Sequence, residues 1–181
     1  MEFFKKLLRT PNRRIAAICL LVYALDQLTK WLVLASVPKG AEGVAIIPGC
    51  FKLVNWGNTG AAFSMFFGNN ATLAIIALVA LLVLFLSRHH FESQTRLGQL
   101  AFGLIFGGII GNLTDRLMPS RLQVIDFIRF YLDRPSGEVG FPAFNIADSG
   151  ICVGVALVFW LTWRSEKAKP VDGVDSLKKA E

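Results

Sequence analysis

Long apolar runs alternate with two polar, glycine-containing connectors along this sequence. Four runs are long enough to form membrane-crossing helices, at residues 15–37, 71–86, 97–117 and 145–163. The connectors, residues 38–70 and 118–144, hold short β-prone pieces between Gly, Pro and Asn residues. The pattern predicts an all-α membrane protein with four transmembrane helices and a small β-rich element on the membrane surface. Residues 1–163 would form one domain, and residues 164–181 a basic, disordered tail.

Composition supports a membrane protein and narrows its partners. Of the 181 residues, 54% are hydrophobic and only 18% are charged, which is too apolar for an ordinary soluble domain. The net charge of +6 comes from basic residues that flank apolar runs, so a membrane explains it better than nucleic acid. The three cysteines and two histidines have no disulfide or metal-ligand spacing. We therefore expect no nucleic-acid partner, no metal site built from Cys and His, and no cofactor.

The first apolar run follows several basic residues, which is the outline of a signal peptide. Its length and the presence of Asp26 and Lys30 inside it argue for an uncleaved span instead. Residues four apart lie on one face of a helix and can pair. This pair has two interpretations, a structural ion pair or a direct part of a functional site, and the spacing does not decide between them.

The third apolar run ends in polar groups that hydrocarbon solvates badly. Gly103, Gly107 and Gly111 repeat every four residues, a spacing that lets helices approach closely. Packing does not explain the polar residues that follow, which are Asn112, Asp115 and Arg116. Their helix face must therefore look toward protein or water.

Two further acids lie after this run. Asp126 stands at the centre of an otherwise apolar face of a strand-like segment, residues 122–131, so burial of that face should raise its pKa. Asp148 follows Asn145 by three residues, as in a helix capping box. That structural explanation is compatible with a chemical one, because the start of a helix stabilises a carboxylate.

Charge distribution predicts which side of the membrane holds these acids. Lys and Arg are concentrated at both termini and in the turn at 87–96, which by the positive-inside rule places the termini in the cytoplasm. Asp115, Asp126 and Asp148 would then lie at the extracytoplasmic face. Two carboxylates near one water can share a proton and act as acid and base in peptide hydrolysis. The alternatives are a carboxylate-bound metal site that hydrolyses lipid head groups and a proton-coupled small transporter.

Five motifs occur in an order that resembles the lipoprotein signal peptidase family, the type II signal peptidases of bacteria. The resemblance covers about residues 15–163. The motifs are Asp26-Gln27-x-x-Lys30, Asn58-x-Gly60-x-Ala62-Phe63, Gly108-x-x-Gly111-Asn112-x-x-Asp115-Arg116, Val124-x-Asp126-Phe127 and Phe144-Asn145-x-Ala147-Asp148.

This resemblance implies a multi-pass aspartic endopeptidase of the bacterial inner membrane with no cofactor and no bound metal. It would cut diacylglyceryl-modified prolipoproteins on the N-terminal side of the lipidated cysteine, with Asp126 and Asp148 as the catalytic dyad. The positions implied to bind substrate are Asn58, Gly60, Gly108, Asn112, Arg116 and Asn145. Asp26, Lys30 and Asp115 would support the structure. The resemblance further implies a monomer in contact with membrane lipid, whose dyad site binds the family inhibitor globomycin.

Overall fold

The computed structural model describes residues 9–60, 69–91 and 93–167. These residues contain four long helices, which are α1 (Pro11–Ser36), α2 (Asn70–Ser87), α3 (Arg96–Leu117) and α4 (Ile146–Lys167). All four are long and apolar enough to cross a membrane, as the sequence predicts. The last helix continues to Lys167, past its expected end at residue 163. The remainder of the predicted tail, residues 168–181, lies outside the described residues.

Side-chain caps fix the starts of the first three helices. The side chains of Thr10, Asn69 and Thr95 accept hydrogen bonds from backbone N–H groups in the first turns of α1, α2 and α3, respectively. Such caps satisfy donors that have no partner inside the helix. A capping residue directly before each apolar run therefore sets where that span begins.

Helix α3 is the centre of the bundle, because α1, α2 and α4 all pack against it. Glycines allow the close contacts with α1 and α4. A Cβ added at Gly107 would lie 2.7 Å from the carbonyl oxygen of Cys19 in α1. A Cβ at Gly154 in α4 would lie 2.7 Å from the carbonyl oxygen of Ala101 in α3. The four-residue glycine spacing thus serves close helix packing, as expected.

A small antiparallel sheet joins the two long connectors at one end of the bundle. Its strands, in spatial order, are β1 (Val44–Ile47), β2 (Phe51–Asn58), β3 (Val124–Leu132) and β4 (Val139–Gly140). The central pair aligns Trp56 with Asp126 and Asn58 with Val124. The predicted β-rich element is therefore present, and it places the end of β2 beside the start of β3.

Strand β3 differs from the alternating strand expected at 122–131. It begins at Val124, and four consecutive residues, 124–127, are buried. Phe127 packs against Val33 of α1 and Val37 directly after it, so the helix bundle covers the strand face opposite Asp126. Burial in this strand is consequently set by the helices and not by alternation.

Candidate active site

Asp126 lies near the start of β3 with its carboxylate held by two amides. Its side chain is 4% exposed. Asn58 donates from Nδ2 to Oδ2 of Asp126 at 2.9 Å, and Asn145 donates from Nδ2 to Oδ1 at 2.8 Å. The two donors come from the end of β2 and the start of α4, so three separate elements meet at this carboxylate.

Asp148 lies in the first turn of α4. The backbone N–H of Asn145 donates to its Oδ2 at 3.2 Å, and the N–H of Asp148 donates to Oδ1 of Asn145 at 2.9 Å. This reciprocal arrangement is the predicted capping box. Asn112 of α3 also donates from Nδ2 to Oδ1 of Asp148 at 2.7 Å. The capping role therefore leaves Asp148 free to contact the polar end of α3.

One continuous amide network connects the two acids. Nδ2 of Asn145, which bonds Asp126, also lies 3.2 Å from Oδ1 of Asn112, and Asn112 in turn bonds Asp148. We call Asp126 and Asp148 the amide-held pair. None of the ion pairs found among the described residues includes either member.

The electrostatic environment of Asp126 favours its protonated form. The pKa of Asp126 is raised to about 7, chiefly by burial and in part by the nearby negative charge of Asp148. The hydrogen bonds from Asn58 and Asn145 act in the opposite direction. Because the effect of desolvation is larger than that of the hydrogen bonds, this carboxyl can hold a proton near neutral pH. The sequence predicts the same direction for a buried acid at this position.

A second group of charges lies against the first but is built differently. Lys30 is completely buried and pairs with Asp26 at 2.8 Å and with Asp115 at 2.7 Å. Arg121 pairs with the other oxygen of Asp115. We call these four residues, Asp26, Lys30, Asp115 and Arg121, the ion-pair cluster. It confirms the predicted pairing of Asp26 with Lys30.

The ion-pair cluster also ties the helices to the amide-held pair. Nζ of Lys30 donates to Oδ1 of Asn112 at 2.9 Å, so it orients the amide that bonds Asp148. Oδ1 of Asp26 accepts the N–H of Ala147 at 3.0 Å. A Cβ at Gly111 would lie 2.5 Å from Oδ2 of Asp26, so glycine leaves the room that this carboxylate occupies. The cluster thus positions α3 and α4 against α1.

Arg116 and Gly60 meet beside the amide-held pair. Arg116 donates from Nη2 to the carbonyl oxygen of Gly60 at 2.8 Å, and Gly60 donates its N–H to Oδ1 of Asn58 at 2.9 Å. The backbone at Gly60 is therefore fixed from both sides. Ala62 and Phe63, which complete the motif of Asn58 and Gly60, lie outside the described residues.

Gly108, for which the resemblance implies a role in substrate binding, lies where α3 contacts α4. It is buried in α3, and a Cβ there would meet the carbonyl oxygen of Ala147 and the side chain of Ile151 in α4. Close packing of the two helices therefore requires glycine at this position.

Sequence reasoning missed two residues that hold the site. Asn70 accepts from Nη1 of Arg116 at 3.0 Å and donates to its carbonyl oxygen at 2.9 Å. Arg121 bonds Gln27 as well as Asp115. A polar residue at the start of an apolar run was a signal for Asn70. Arg121 lies in a connector with no spacing rule to single it out.

The arrangement offers two carboxyl groups, amide donors and a nearby guanidinium. Across residues 9–60, 69–91 and 93–167, no group of three or more His, Cys, Asp or Glu side chains is placed to hold a metal ion. Two carboxyl groups placed close together are groups that can give and take protons.

Comparison with known proteins adds independent information. A family model described as "Signal peptidase (SPase) II" matches residues 18–164. A lipoprotein signal peptidase of Azoarcus sp. is 41% identical, with 84% of each chain covered. A lipoprotein signal peptidase of Anoxybacillus flavithermus is 34% identical, covering 88% of this chain and 92% of the relative.

Solved structures agree with these sequence relatives. One described as a bacterial membrane enzyme has a TM-score of 0.70 and 29% identity, and the match covers 88% of this chain and 93% of the other. With its four membrane-spanning helices and bacterial relatives, the chain is a multi-pass protein of a bacterial inner membrane. It belongs to the signal peptidase II family of membrane proteases, which process lipoprotein precursors.

Proposed function

We propose that the protein is an aspartic endopeptidase whose Asp126 and Asp148 jointly activate one water molecule. The observation that carries this proposal is the amide network through Asn112 and Asn145, which links two acids 22 positions apart in the sequence. Their surroundings differ, and unequal environments are what separate an acid from a base in such pairs.

In the proposed reaction, the Asp148 carboxylate takes a proton from water as the water oxygen attacks the scissile carbonyl carbon. The protonated Asp126 donates its proton to the carbonyl oxygen, which neutralises the developing charge. As the C–N bond breaks, the proton on Asp148 passes to the leaving amine. The hydroxyl of the tetrahedral intermediate returns a proton to Asp126, so the pair regains its starting state. Because the two sites interact, their protons titrate as a pair.

Asn58, Gly60, Asn112, Arg116 and Asn145 surround the acids, and we assign them to the binding of substrate backbone. Their donors are fixed by neighbouring protein groups, so they would bind without reorganising. Gly108 would contribute through helix packing. Asp26, Lys30 and Asp115 would hold the site in shape.

The proposed substrate is a diacylglyceryl-modified prolipoprotein, cut on the N-terminal side of its lipidated cysteine. The relatives are lipoprotein signal peptidases, and the acids lie where the helices meet the sheet. A lipid-anchored substrate would present its scissile bond at that membrane surface. We assign the site to the extracytoplasmic face, both termini to the cytoplasm, and a monomeric state to the enzyme. Globomycin would compete with substrate for the same site.

Mass spectrometry of a diacylglyceryl-modified precursor incubated with purified enzyme tests the proposal. We expect cleavage of one peptide bond, directly before the lipidated cysteine, so that this cysteine becomes the new N-terminus. Turnover should be equal with and without a chelator. Cleavage elsewhere would refute the assigned substrate position. Loss of activity on chelation, restored by a divalent metal, would favour the metal-dependent alternative.

A further inference from the structure

A concave feature lies within the spans, apart from the amide-held pair. It is an apolar groove of about 750 Å³ between α1, α2 and α3. Its walls include Ile15 and Cys19 of α1, Leu78 and Leu82 of α2, and Phe106 of α3. We call it the α1–α2 groove. Helix α2 packs on α3, and Leu78 and Leu82 remain 47% and 58% exposed beside the groove.

The groove covers about half the thickness of a bilayer. Its lining runs along α2 from Leu78 and ends at Arg88, the residue after the helix, and ten residues at helical spacing rise roughly 15 Å. A hydrocarbon core is about 30 Å thick. The depth of the groove therefore matches the acyl region of a single leaflet.

That leaflet is the one farther from the amide-held pair. Helix α2 starts at Asn70, which bonds Arg116 beside the site, and it ends at Ser87, so Arg88 lies at the opposite end of the span. Two polar residues, Asn12 and Arg88, line the groove at that end, which forms its mouth. The guanidinium of Arg88 lies 4.1 Å from the ring centroid of Phe85, which holds the charge over the mouth of the groove.

The α1–α2 groove is apolar over the depth of one leaflet and has a cation at its end. It is therefore complementary to a phospholipid, which has apolar chains and a charged head group. Acyl chains would lie against the aliphatic walls, and a phosphate would lie at Arg88, where an arginine binds it well. We propose that the α1–α2 groove binds one anionic glycerophospholipid of the leaflet opposite the amide-held pair.

Charge argues against the substrate's own signal peptide as the occupant. Signal peptides begin with a positively charged segment before their apolar core. A peptide lying in the groove with its cleavage point near the amide-held pair would bring that segment toward Arg88. Like charges would then meet at the mouth, whereas an anionic head group would be attracted.

Native mass spectrometry of the detergent-solubilised protein titrated with phosphatidylglycerol tests this inference. We expect one tightly retained phosphatidylglycerol and weaker retention of phosphatidylcholine with the same acyl chains. Arg88→Gln should weaken phosphatidylglycerol binding about fivefold, the factor expected for one basic residue near a lipid surface. The matched control is Arg96→Gln, an exposed arginine at the same end of the bundle, which should bind like the parent protein.

A second pair of variants tests the acyl part of the site. Leu82→Trp fills the groove and should reduce retention of both lipids, whereas Val83→Trp, exposed on α2 but outside the groove lining, should not. Equal retention of the two lipids, or equal binding by the Arg88→Gln and Arg96→Gln variants, would overturn the proposal.

The occupant is checked in a protein that cannot turn over substrate. In an Asp126→Asn background, a lipidated precursor should bind without displacing phosphatidylglycerol. One-for-one displacement would assign the groove to the substrate and refute the lipid proposal. Since none of these measurements requires cleavage, failure here and failure of the proposed peptidase activity are separate results.

Discussion

The ion-pair cluster and the amide-held pair lie side by side, and their acidic residues have different kinds of partner. In the ion-pair cluster, Asp26 and Asp115 face the cations of Lys30 and Arg121. In the amide-held pair, Asp126 and Asp148 receive hydrogen bonds from Asn58, Asn112 and Asn145, which carry no charge. Both groups are buried or largely buried, so the difference lies in the partners and not in exposure.

This difference separates a structural role from a chemical one. A buried carboxylate that faces a cation stays ionised and fixes the geometry of its neighbours. A buried carboxyl whose hydrogen-bond donors are neutral can change its protonation near neutral pH, as the raised pKa of Asp126 indicates. Asn112 connects the two groups, because it accepts from Lys30 and donates to Asp148. The charged cluster can thus hold the titrating pair in place without neutralising it.

The largest expected effect comes from the amide-held pair itself. Asp126→Asn and Asp148→Asn should each lower the rate of precursor cleavage by about 10²–10⁴-fold or more, since each removes a group that transfers a proton. Their thermal unfolding should stay close to that of the parent protein. Asp133→Asn, an exposed acid at the end of the sheet, is the matched control. Ordinary turnover by either dyad variant would remove the distinction between the two groups.

Loss of the central cation should instead act on stability. Lys30→Met leaves two buried carboxylates with less compensation, which typically costs about 3–5 kcal/mol. Thermal unfolding in detergent should show a large decrease in Tm, together with lower activity. Lys39→Met, at an exposed position, should change neither. A Lys30→Met protein with unchanged Tm would show that the ion-pair cluster is not the structural support inferred here.

A smaller effect is expected when one neutral donor is removed. Asn58→Ala deletes a hydrogen bond that lowers the pKa of Asp126, so that pKa should rise. Asn58 is also assigned to substrate binding, and the loss of one neutral hydrogen bond costs about 1 kcal/mol, or roughly a fivefold decrease in cleavage rate. The pH profile of kcat/KM should move to higher pH in the same variant. A profile that moves to lower pH would contradict the assigned partner.

The smallest effect is expected at an ion pair on the sheet surface. The carboxylate of Glu138 forms ion pairs with Lys52 at 2.5 Å and with Arg129 at 3.0 Å. The hydrogen bond from Lys52 is the main reason that the pKa of Glu138 is lowered. Water and salt screen such a pair. Lys52→Gln should therefore leave Tm and activity nearly unchanged. A decrease in Tm as large as that for Lys30→Met would show that burial does not determine how much an ion pair contributes to stability.

Local spacing rules account for the features that the sequence did predict. Asp26 and Lys30 are four apart on one helix, Asn145 and Asp148 form a capping box, and the glycines of α3 are spaced for close packing. Each of these depends on residues within one element, where geometry is regular.

Contacts between elements were beyond such rules. No spacing indicates that Asn58 bonds Asp126 or that Arg121 pairs with Asp115, since these contacts depend on how β2 and β3 align and how the second connector folds back over α3. The uninterrupted burial of residues 124–127 likewise arises from packing of β3 on α1. Hydropathy and the distribution of Lys and Arg placed the acids at one membrane face, and the family resemblance then singled out Asp126 and Asp148 as a pair.

The protonation state of Asp126 tests the central claim most directly. Infrared difference spectra of the parent protein minus the Asp126→Asn variant, recorded across pH 5 to 9, isolate the C=O stretch of this carboxyl group. With the pKa of Asp126 raised to about 7, the band of the protonated acid should be present at pH 5 and disappear around pH 7, and kcat/KM should fall over the same range as the acid loses its proton. A carboxyl that is already ionised at pH 5, in an enzyme that is fully active there, would contradict the account.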